Sequence, residues 1–277
     1  LYRQIRQVAP DSNITIATAK AQVSSIRNQL GDGVDISIEP CRRDTFPAIA
    51  LAAAYLRDVK KLGEEEPVVV CPVDPYVDLS YFEALKELES LAAEGRASLV
   101  LMGIEPDCPS EKYGYIIPKG KERVDQVLTF KEKPDTETAR EYIRQGALWN
   151  GGVFAFKLGY LMKKAHEILD FADYQDLFDR YEDAVKISFD YAVAEKEKDL
   201  AVLRFKGRWE DLGTWNALTG QMDERIYGKG SCDETCENVH IVNELSVPIL
   251  CMGLKDTVVA ASPEGILVST KERSDFM

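Results

Sequence analysis

Several acidic and basic side chains stand at the ends of apolar runs, where a fold can hold them for chemistry. In "VVVCPVDPYVD" the apolar run 68–71 breaks at Pro72 and is followed by Asp74 and Asp78. Asp78 directly precedes the helical pattern "LSYFEALKEL" and suits an N-cap. Asp74 is then left without a structural task. It stands beyond the carboxyl end of a strand, where open α/β sheets bind ligands. In "FKEKPD", Glu132 and Lys133 close a second strand before Pro134; an exposed ion pair is the ordinary reading there. "WNGGVFAF" sets Asn150 before Gly151 and Gly152 in an apolar strand, and paired glycines admit a ligand or another backbone. Gly114 in "YGYI" permits close approach of a ligand or marks a bulge. In "EPCRRDTFPAI", Arg42 and Arg43 precede a helix that Asp44 or Thr45 could cap. This is either a plain capped start or an anion site built from guanidiniums and a helix N-terminus. "RWEDLGTW" holds Glu210 and Asp211 between two tryptophans at a turn. Asp190 in "SFDYAVAEK" begins a helical pattern, where the helix dipole already favours a carboxylate.

Other chemistries lack their residues. The sequence has no phosphate-loop, dinucleotide-binding or nucleophile-elbow motif. Its two histidines, His166 and His240, fall in a helical pattern and a β segment, which disfavours a His-based triad or a zinc site. A net charge of -13 does not favour nucleic acid or anionic membranes, so an anionic substrate needs local cations or a metal ion. No apolar run reaches membrane-spanning length. The six cysteines are scattered and read as reduced, packed thiols in a cytoplasm. Cys232 and Cys236 lie close together, but no second Cys or His pair has the spacing of a structural metal site.

These residues need a framework. Strand-like "NITIAT", "VDISIE", "PVVVC" and "SLVLMGI" alternate with helical "KAQVSSIRNQL", "FPAIALAAAYLRDVKKL" and "LSYFEALKELESLAAE". Such alternation predicts an α/β fold: a Rossmann-like, mixed, mainly parallel sheet with helices on both faces. "YGYIIP", "VDQVLTFKEKP" and "ALWNGGVFAFKL" extend it, and "LAVLRF" resumes it. Past a Gly- and Cys-bearing joint, the short runs "VHIVN", "VPILCMGL", "DTVVAAS" and "GILVST" predict a small all-β appendage. The expected domains are residues 1–228 and 229–277. The apolar appendage is compatible with a homodimer.

Taken in order, "EPCRRDTFPAI", "PVDPYV", "YGYI", "FKEKP", "WNGGVFAF", "SFDYAVAEK" and "RWEDLGTW" resemble the sugar-1-phosphate nucleotidylyltransferases over nearly the whole chain. The likeness is strongest to the branch that joins GTP to mannose 1-phosphate. It implies attack of the sugar phosphate on the α-phosphorus of the triphosphate, with loss of pyrophosphate and formation of GDP-mannose. It implies Mg²⁺ on Asp74 and Asp211, Glu132 and Asn150 on sugar hydroxyls, Gly114 against the sugar ring and Asp190 nearby. Lys133 would take the sugar phosphate, and Arg42 and Thr45 would lie along the nucleotide. Such transfer asks a protein for alignment and charge stabilisation, and a dication held by hard carboxylates offsets the repulsion of two phosphate-bearing substrates.

Two positions depart from the family: Asp44 stands where Asn is common, and Pro75 where His follows the metal Asp. Either could alter the preferred base. The alternative readings are a non-catalytic, nucleotide-sugar-binding regulatory protein on the same fold and a nucleotidylyltransferase with another base or sugar. The family also opens with a Gly-rich, Arg-bearing loop that these 277 residues do not include: either they are a fragment of a longer chain or the loop has been lost. The 277 residues are therefore expected to fold but to turn over slowly, since each preorganised phosphate donor is worth roughly 2.7–4 kcal/mol of barrier. The check is turnover of this chain beside one that carries such a loop upstream; equal rates overturn the expectation.

Overall fold

Two compact units account for the computed structural model, which describes residues 1–276. The first comprises residues 1–73 and 78–207; the second takes residues 74–77 and everything from Arg208 onward.

The first unit runs α1 (Tyr2–Val8), β1 (Thr15–Ala19), α2 (Val23–Leu30), β2 (Asp35–Glu39), α3 (Thr45–Asp58) and β3 (Pro67–Val70). After β4 (Pro75–Val77), which belongs to the second unit, come α4 (Leu79–Ala93), β5 (Leu99–Ile104), β6 (Tyr115–Pro118) and β7 (Val124–Lys131). Then follow α5 (Thr136–Arg144), β8 (Leu148–Lys157), α6 (Leu158–Ile168), α7 (Tyr174–Asp179) and β9 (Leu200–Phe205).

The helices start where the sequence supplies caps. Asp78 accepts the Ser80 N–H at 2.9 Å to begin α4, as its position implied. Asp44 accepts the Thr45 N–H at 2.8 Å to begin α3. Every residue of β5 is buried, because helices cover both faces. Leu99 and Leu101 join Phe46, Ala50 and Ala54 of α3 and Leu161 and Ala165 of α6 in one core. On the other face α4 lies over β5, β8 and β9, with the Tyr81 ring 5.8 Å from that of Phe205. Each fully buried Leu or Phe in these layers contributes roughly 1.5–3 kcal/mol.

The six-stranded sheet has the order β3-β8-β5-β9-β7-β6, closed further by pairing of β8 with β6. It is mixed, as expected. Strands β3, β5, β6 and β9 run one way, while β7 and β8 run the other. The strand–helix–strand alternation does give parallel β3 and β5. However, β8 inserts antiparallel between them, so only β5 and β9 are parallel neighbours in this sheet. β1 and β2 form a separate parallel pair.

The two glycines of β8 have a local cause. Between Leu101↔Phe154 and Gly103↔Asn150, β5 advances two residues and β8 four, so β8 bulges at Gly151 and Gly152. Gly152 takes φ +67°, a conformation that glycine adopts at little cost.

In the second unit, β10 (Trp209–Asp211) pairs antiparallel with β4, followed by α8 (Trp215–Gly220). Then come β11 (Ile226–Gly228), β12 (Gly230–Cys232), β13 (His240–Asn243), β14 (Ile249–Cys251), β15 (Thr257–Ser262) and β16 (Gly265–Thr270). The expected β appendage is present and is largely parallel: β11 with β13, β13 with β15, and β12 with β14. Val239, Ile241, Cys251 and Val259 form its core. The joint expected at 228–229 lies inside this unit, between β11 and β12, because β10 carries β4 with it and α8 packs on β15. Among the described residues no helix is long and apolar enough to cross a membrane.

Gly103 shows how tightly the sheet is filled. A Cβ there would lie 2.5 Å from Leu148 Cδ1 and 2.7 Å from Val202 Cγ2. Gly103→Ala is expected to destabilise the chain by roughly 1–3 kcal/mol through overpacking. Denaturant unfolding measures this, and an unchanged midpoint overturns it.

Candidate active site

At one end of the six-stranded sheet, the start of β6, the end of β7 and the first half of β8 come together. Tyr115 is paired with Lys131 on one side and Trp149 on the other. Just before β6, the Gly114 carbonyl accepts the Asn150 N–H at 2.8 Å. Just after β7, Glu132 turns inward and is buried. Gly114 is fitted against it: an added Cβ would sit 2.5 Å from Glu132 Oε2 and 3.3 Å from Asn150 Cβ. No other residue leaves the backbone this close to both side chains. The Tyr113 and Trp149 rings lie beside this backbone, 4.7 Å apart, and Trp149 Nε1 donates to the Tyr115 hydroxyl at 3.0 Å.

Asn150 links these strands to Asp190. Its Nδ2 donates to Asp190 Oδ1 at 2.6 Å, and its Oδ1 accepts the Gly152 N–H at 3.2 Å across the bulge. Asp190 begins a π-helical turn, Asp190–Ala194, of a kind frequent at functional sites. The turn is anchored where the Phe189 N–H donates to Thr45 Oγ1 at 2.8 Å.

The electrostatics are unusual for ordinary carboxyls. Burial, then the nearby Asp190 charge, push Glu132 up to about 7, against a partial opposing pull from Lys133. Asp190 is raised as well, chiefly by burial, despite the Asn150 hydrogen bond. Glu132 Oε2 is buried and has no hydrogen-bond partner. Lys133 Nζ lies 3.5 Å from Glu132 Oε1 and is half exposed, at a residue with φ +44°. This group can accept hydroxyls at Glu132, Asn150 and Asp190 and an anion at Lys133.

The segment before α3 divides its tasks. Arg43 is used internally: its N–H donates to Glu39 Oε1 at 3.1 Å and its guanidinium bonds the Glu182 carbonyl. Arg42 is exposed. Thr45, expected along a nucleotide, spends its hydroxyl on Phe189. Asp44, read as a possible cap and as a departure from the family's Asn, also helps by its charge to raise Asp190. The ring wall of Tyr113 and Trp149 was not singled out either; the aromatics flanking Gly114 and Asn150 were its signal.

The second unit holds the two remaining aspartates. Asp211 is the register partner of Pro75, so Asp74 sits one residue beyond the end of the β4–β10 pair. Asp74 is exposed and Asp211 partly buried. Asp211 Oδ1 accepts the Gly213 N–H at 2.8 Å, and a Cβ on Gly213 would come within 2.9 Å of that oxygen. The Arg208 guanidinium stacks 4.5 Å from the Tyr76 ring centroid and bonds Gln221. Among the described residues no group of three or more Cys, His, Asp or Glu could hold a metal by itself. Two hard carboxylates, one just ahead of β4 and one ending β10, still fit a divalent cation such as Mg²⁺, which usually takes one or two protein carboxylates and fills its shell with substrate phosphates and water.

The fold is that of a mixed α/β protein with a buried carboxyl and amide cluster at one end of its sheet. Residues 3–225 match the nucleotidyl transferase family, and the chain belongs to it. It is 32% identical over 271 residues to a mannose-1-phosphate guanylyltransferase of Escherichia coli, covering 86% of this chain and 57% of that protein. A mannose-1-phosphate guanylyltransferase of Klebsiella pneumoniae is 31% identical, with 87% and 56% covered. The chain thus spans about half the length of the curated relatives it matches. Among solved structures, a mannose-1-phosphate geranyltransferase from Thermus thermophilus superimposes with TM-score 0.79 at 28% identity, covering 99% of this chain and 84% of that one.

The raised Glu132 carboxyl has a measurable consequence. Between its ordinary value of 4.5 and about 7, the folded chain keeps a proton that the unfolded chain has lost. Stability therefore falls as pH rises through that window and levels off above it. Glu132→Gln is expected to gain on the parent across the window by roughly 1–3 kcal/mol. Thermal unfolding of both proteins from pH 4.5 to 8 tests this; a difference that does not change with pH overturns it.

Proposed function

We propose that this chain carries the module that transfers GMP from GTP to mannose 1-phosphate, giving GDP-mannose and pyrophosphate. The observation that carries the reading is the convergence of Glu132 and Asn150 on the Gly114 backbone, with Asp190 held on the Asn150 amide and the buried Glu132 Oε2 lacking a partner. A sugar ring presents several hydroxyls on one face. Laid against Gly114, it would supply the donor that Glu132 lacks, and the mutual hydrogen bonding would offset the burial of the acids. The relatives named mannose-1-phosphate guanylyltransferase support the choice of sugar and base.

In this reading Lys133 holds the sugar 1-phosphate. The orientation it imposes turns a phosphate oxygen toward the α-phosphorus of GTP. A bond forms between those atoms as the bond to the bridging β-phosphate oxygen breaks, and pyrophosphate leaves. Arg42 is the exposed cation for the nucleotide at the start of α3. Thr45, exposed beside Arg42, would lie along the nucleotide while its hydroxyl oxygen anchors the Phe189 N–H. Asp74 and Asp211 would hold Mg²⁺, which neutralises phosphate charge when bound. Gly213 keeps the Asp211 carboxylate fixed on its strand. Catalysis then rests on alignment, with no covalent intermediate on the protein.

Substrate pairing tests the proposal. GTP, ATP, UTP and dTTP are each supplied with mannose 1-phosphate and with glucose 1-phosphate. GTP with mannose 1-phosphate is expected to exceed every other pair in kcat/KM by about tenfold or more; a preferred base other than guanine, or preference for glucose, overturns it. Lys133→Ala is expected to raise KM for the sugar phosphate about tenfold and leave that for GTP unchanged. Asp211→Asn and Asp74→Asn are each expected to lower Mg²⁺-dependent turnover about a hundredfold, with the double variant little worse, since both serve one ion. Full activity in either single variant refutes the metal assignment.

A further inference from the structure

Three thiols meet in the second unit, where the transfer chemistry makes no use of them. Cys232 and Cys251 are direct register partners in the parallel pair of β12 and β14. Cys251 is buried in the core of the unit, and Cys232 and Cys236 pack against that core. Facing residues on neighbouring strands stand about 4.8 Å apart. That lies within the roughly 4.4–6.8 Å Cα separation a disulfide spans. The Cys251 and Cys236 thiols both lie close enough to Cys232 to raise its proton affinity beyond the effect of burial.

The third thiol is held differently. Cys236 bonds the Asp233 carboxylate, which also takes the Thr235 hydroxyl at 2.8 Å and the Gly253 N–H at 3.2 Å. A cavity of about 230 Å³ is lined by Arg225, Ser231, Cys232 and Cys236 among others, but not by Cys251. A small oxidant can therefore reach Cys232 from the cavity, while Cys251 waits opposite it on the neighbouring strand.

We propose that Cys232 and Cys251 form a reversible disulfide when a hydroperoxide enters this cavity. The Cys232 thiolate attacks one peroxide oxygen; the O–O bond breaks, and the alkoxide or hydroxide leaves with the electron pair and takes up a proton. The resulting sulfenic acid is attacked at sulfur by Cys251. The S–S bond forms, the S–O bond breaks, and water leaves with the Cys251 proton. Two thiols lose two electrons to one peroxide, giving a disulfide, an alcohol or water, and a second water. Burial raises both thiols above the ordinary range, so the thiolate is scarce at neutral pH and the reaction quickens as pH rises.

The test treats the whole chain with hydrogen peroxide, alkylates the remaining thiols and maps an unreduced digest by mass spectrometry. The expected product joins the Cys232 peptide to the Cys251 peptide, loses two alkylatable thiols and is released by dithiothreitol. It forms faster at higher pH and persists in Cys236→Ser. A Cys232–Cys236 link, or sulfinic acid without any cross-link, overturns the proposal. The map of the parent chain decides this even if a Cys232→Ser variant fails to fold.

Discussion

The fit of the Gly114 backbone against the Glu132 carboxyl governs everything at this end of the sheet. A side chain at position 114 would collide with Oε2 at 2.5 Å, so the carboxyl keeps its place only because there is none. The same peptide fixes β8, since its carbonyl takes the Asn150 N–H. Asn150 in turn holds Asp190. Three strand ends and a π-helical turn thus depend on one close approach. The carboxyls it gathers are costly to bury, and their raised proton affinity records that cost. An apolar core would gain nothing from such an arrangement, whereas a site for a hydroxyl-rich ligand gains its hydrogen bonds.

In the second unit, strand register brings two like charges close along the backbone. Residues 74–77 leave the first unit's chain path to pair with β10, and the pairing sets Asp74 one residue from the partner of Asp211. Backbone hydrogen bonds carry this placement, so no side chain has to stabilise it. Loops would not keep two carboxylates in fixed register, whereas a three-residue antiparallel ladder does.

Much of this was legible in the sequence, for reasons that also explain what was not. Short, mostly apolar runs such as "SLVLMGI" and "LAVLRF" suit strands covered on both faces, and β5 and β9 are that, with Arg204 buried among the apolar residues of β9. Asp78 was readable as a cap because a cap is a local bond, and its task left Asp74 to be explained. Strand direction is not local: nothing in "WNGGVFAF" says that β8 enters antiparallel between two parallel strands. The paired glycines were noticed, but a bulge and a ligand contact leave the same mark. Arg42 and Arg43 look equivalent in sequence. Only the distant Glu182 carbonyl separates the internally used guanidinium from the exposed one. The Thr45 hydroxyl is likewise claimed by a backbone N–H 144 positions away.

Charge is the last constraint. A chain of net charge -13 repels polyphosphates at long range, so any affinity for them must come from cations placed at short range. Lys133 shows how one is placed. It precedes Pro134, a position that disfavours helical backbone and prefers an extended one, yet it takes φ +44°. Such a conformation costs on the order of 1–3 kcal/mol and persists only where the surroundings impose it. Here the imposing element is Glu132, turned inward one residue earlier, which leaves the chain to reverse at once toward Pro134. An extended Lys133 would carry its ammonium group elsewhere; the left-handed one sets Nζ 3.5 Å from the buried carboxyl. The strain at 133 and the burial at 132 are two halves of one arrangement, in which a buried carboxyl and a half-exposed ammonium group are held together by a single turn.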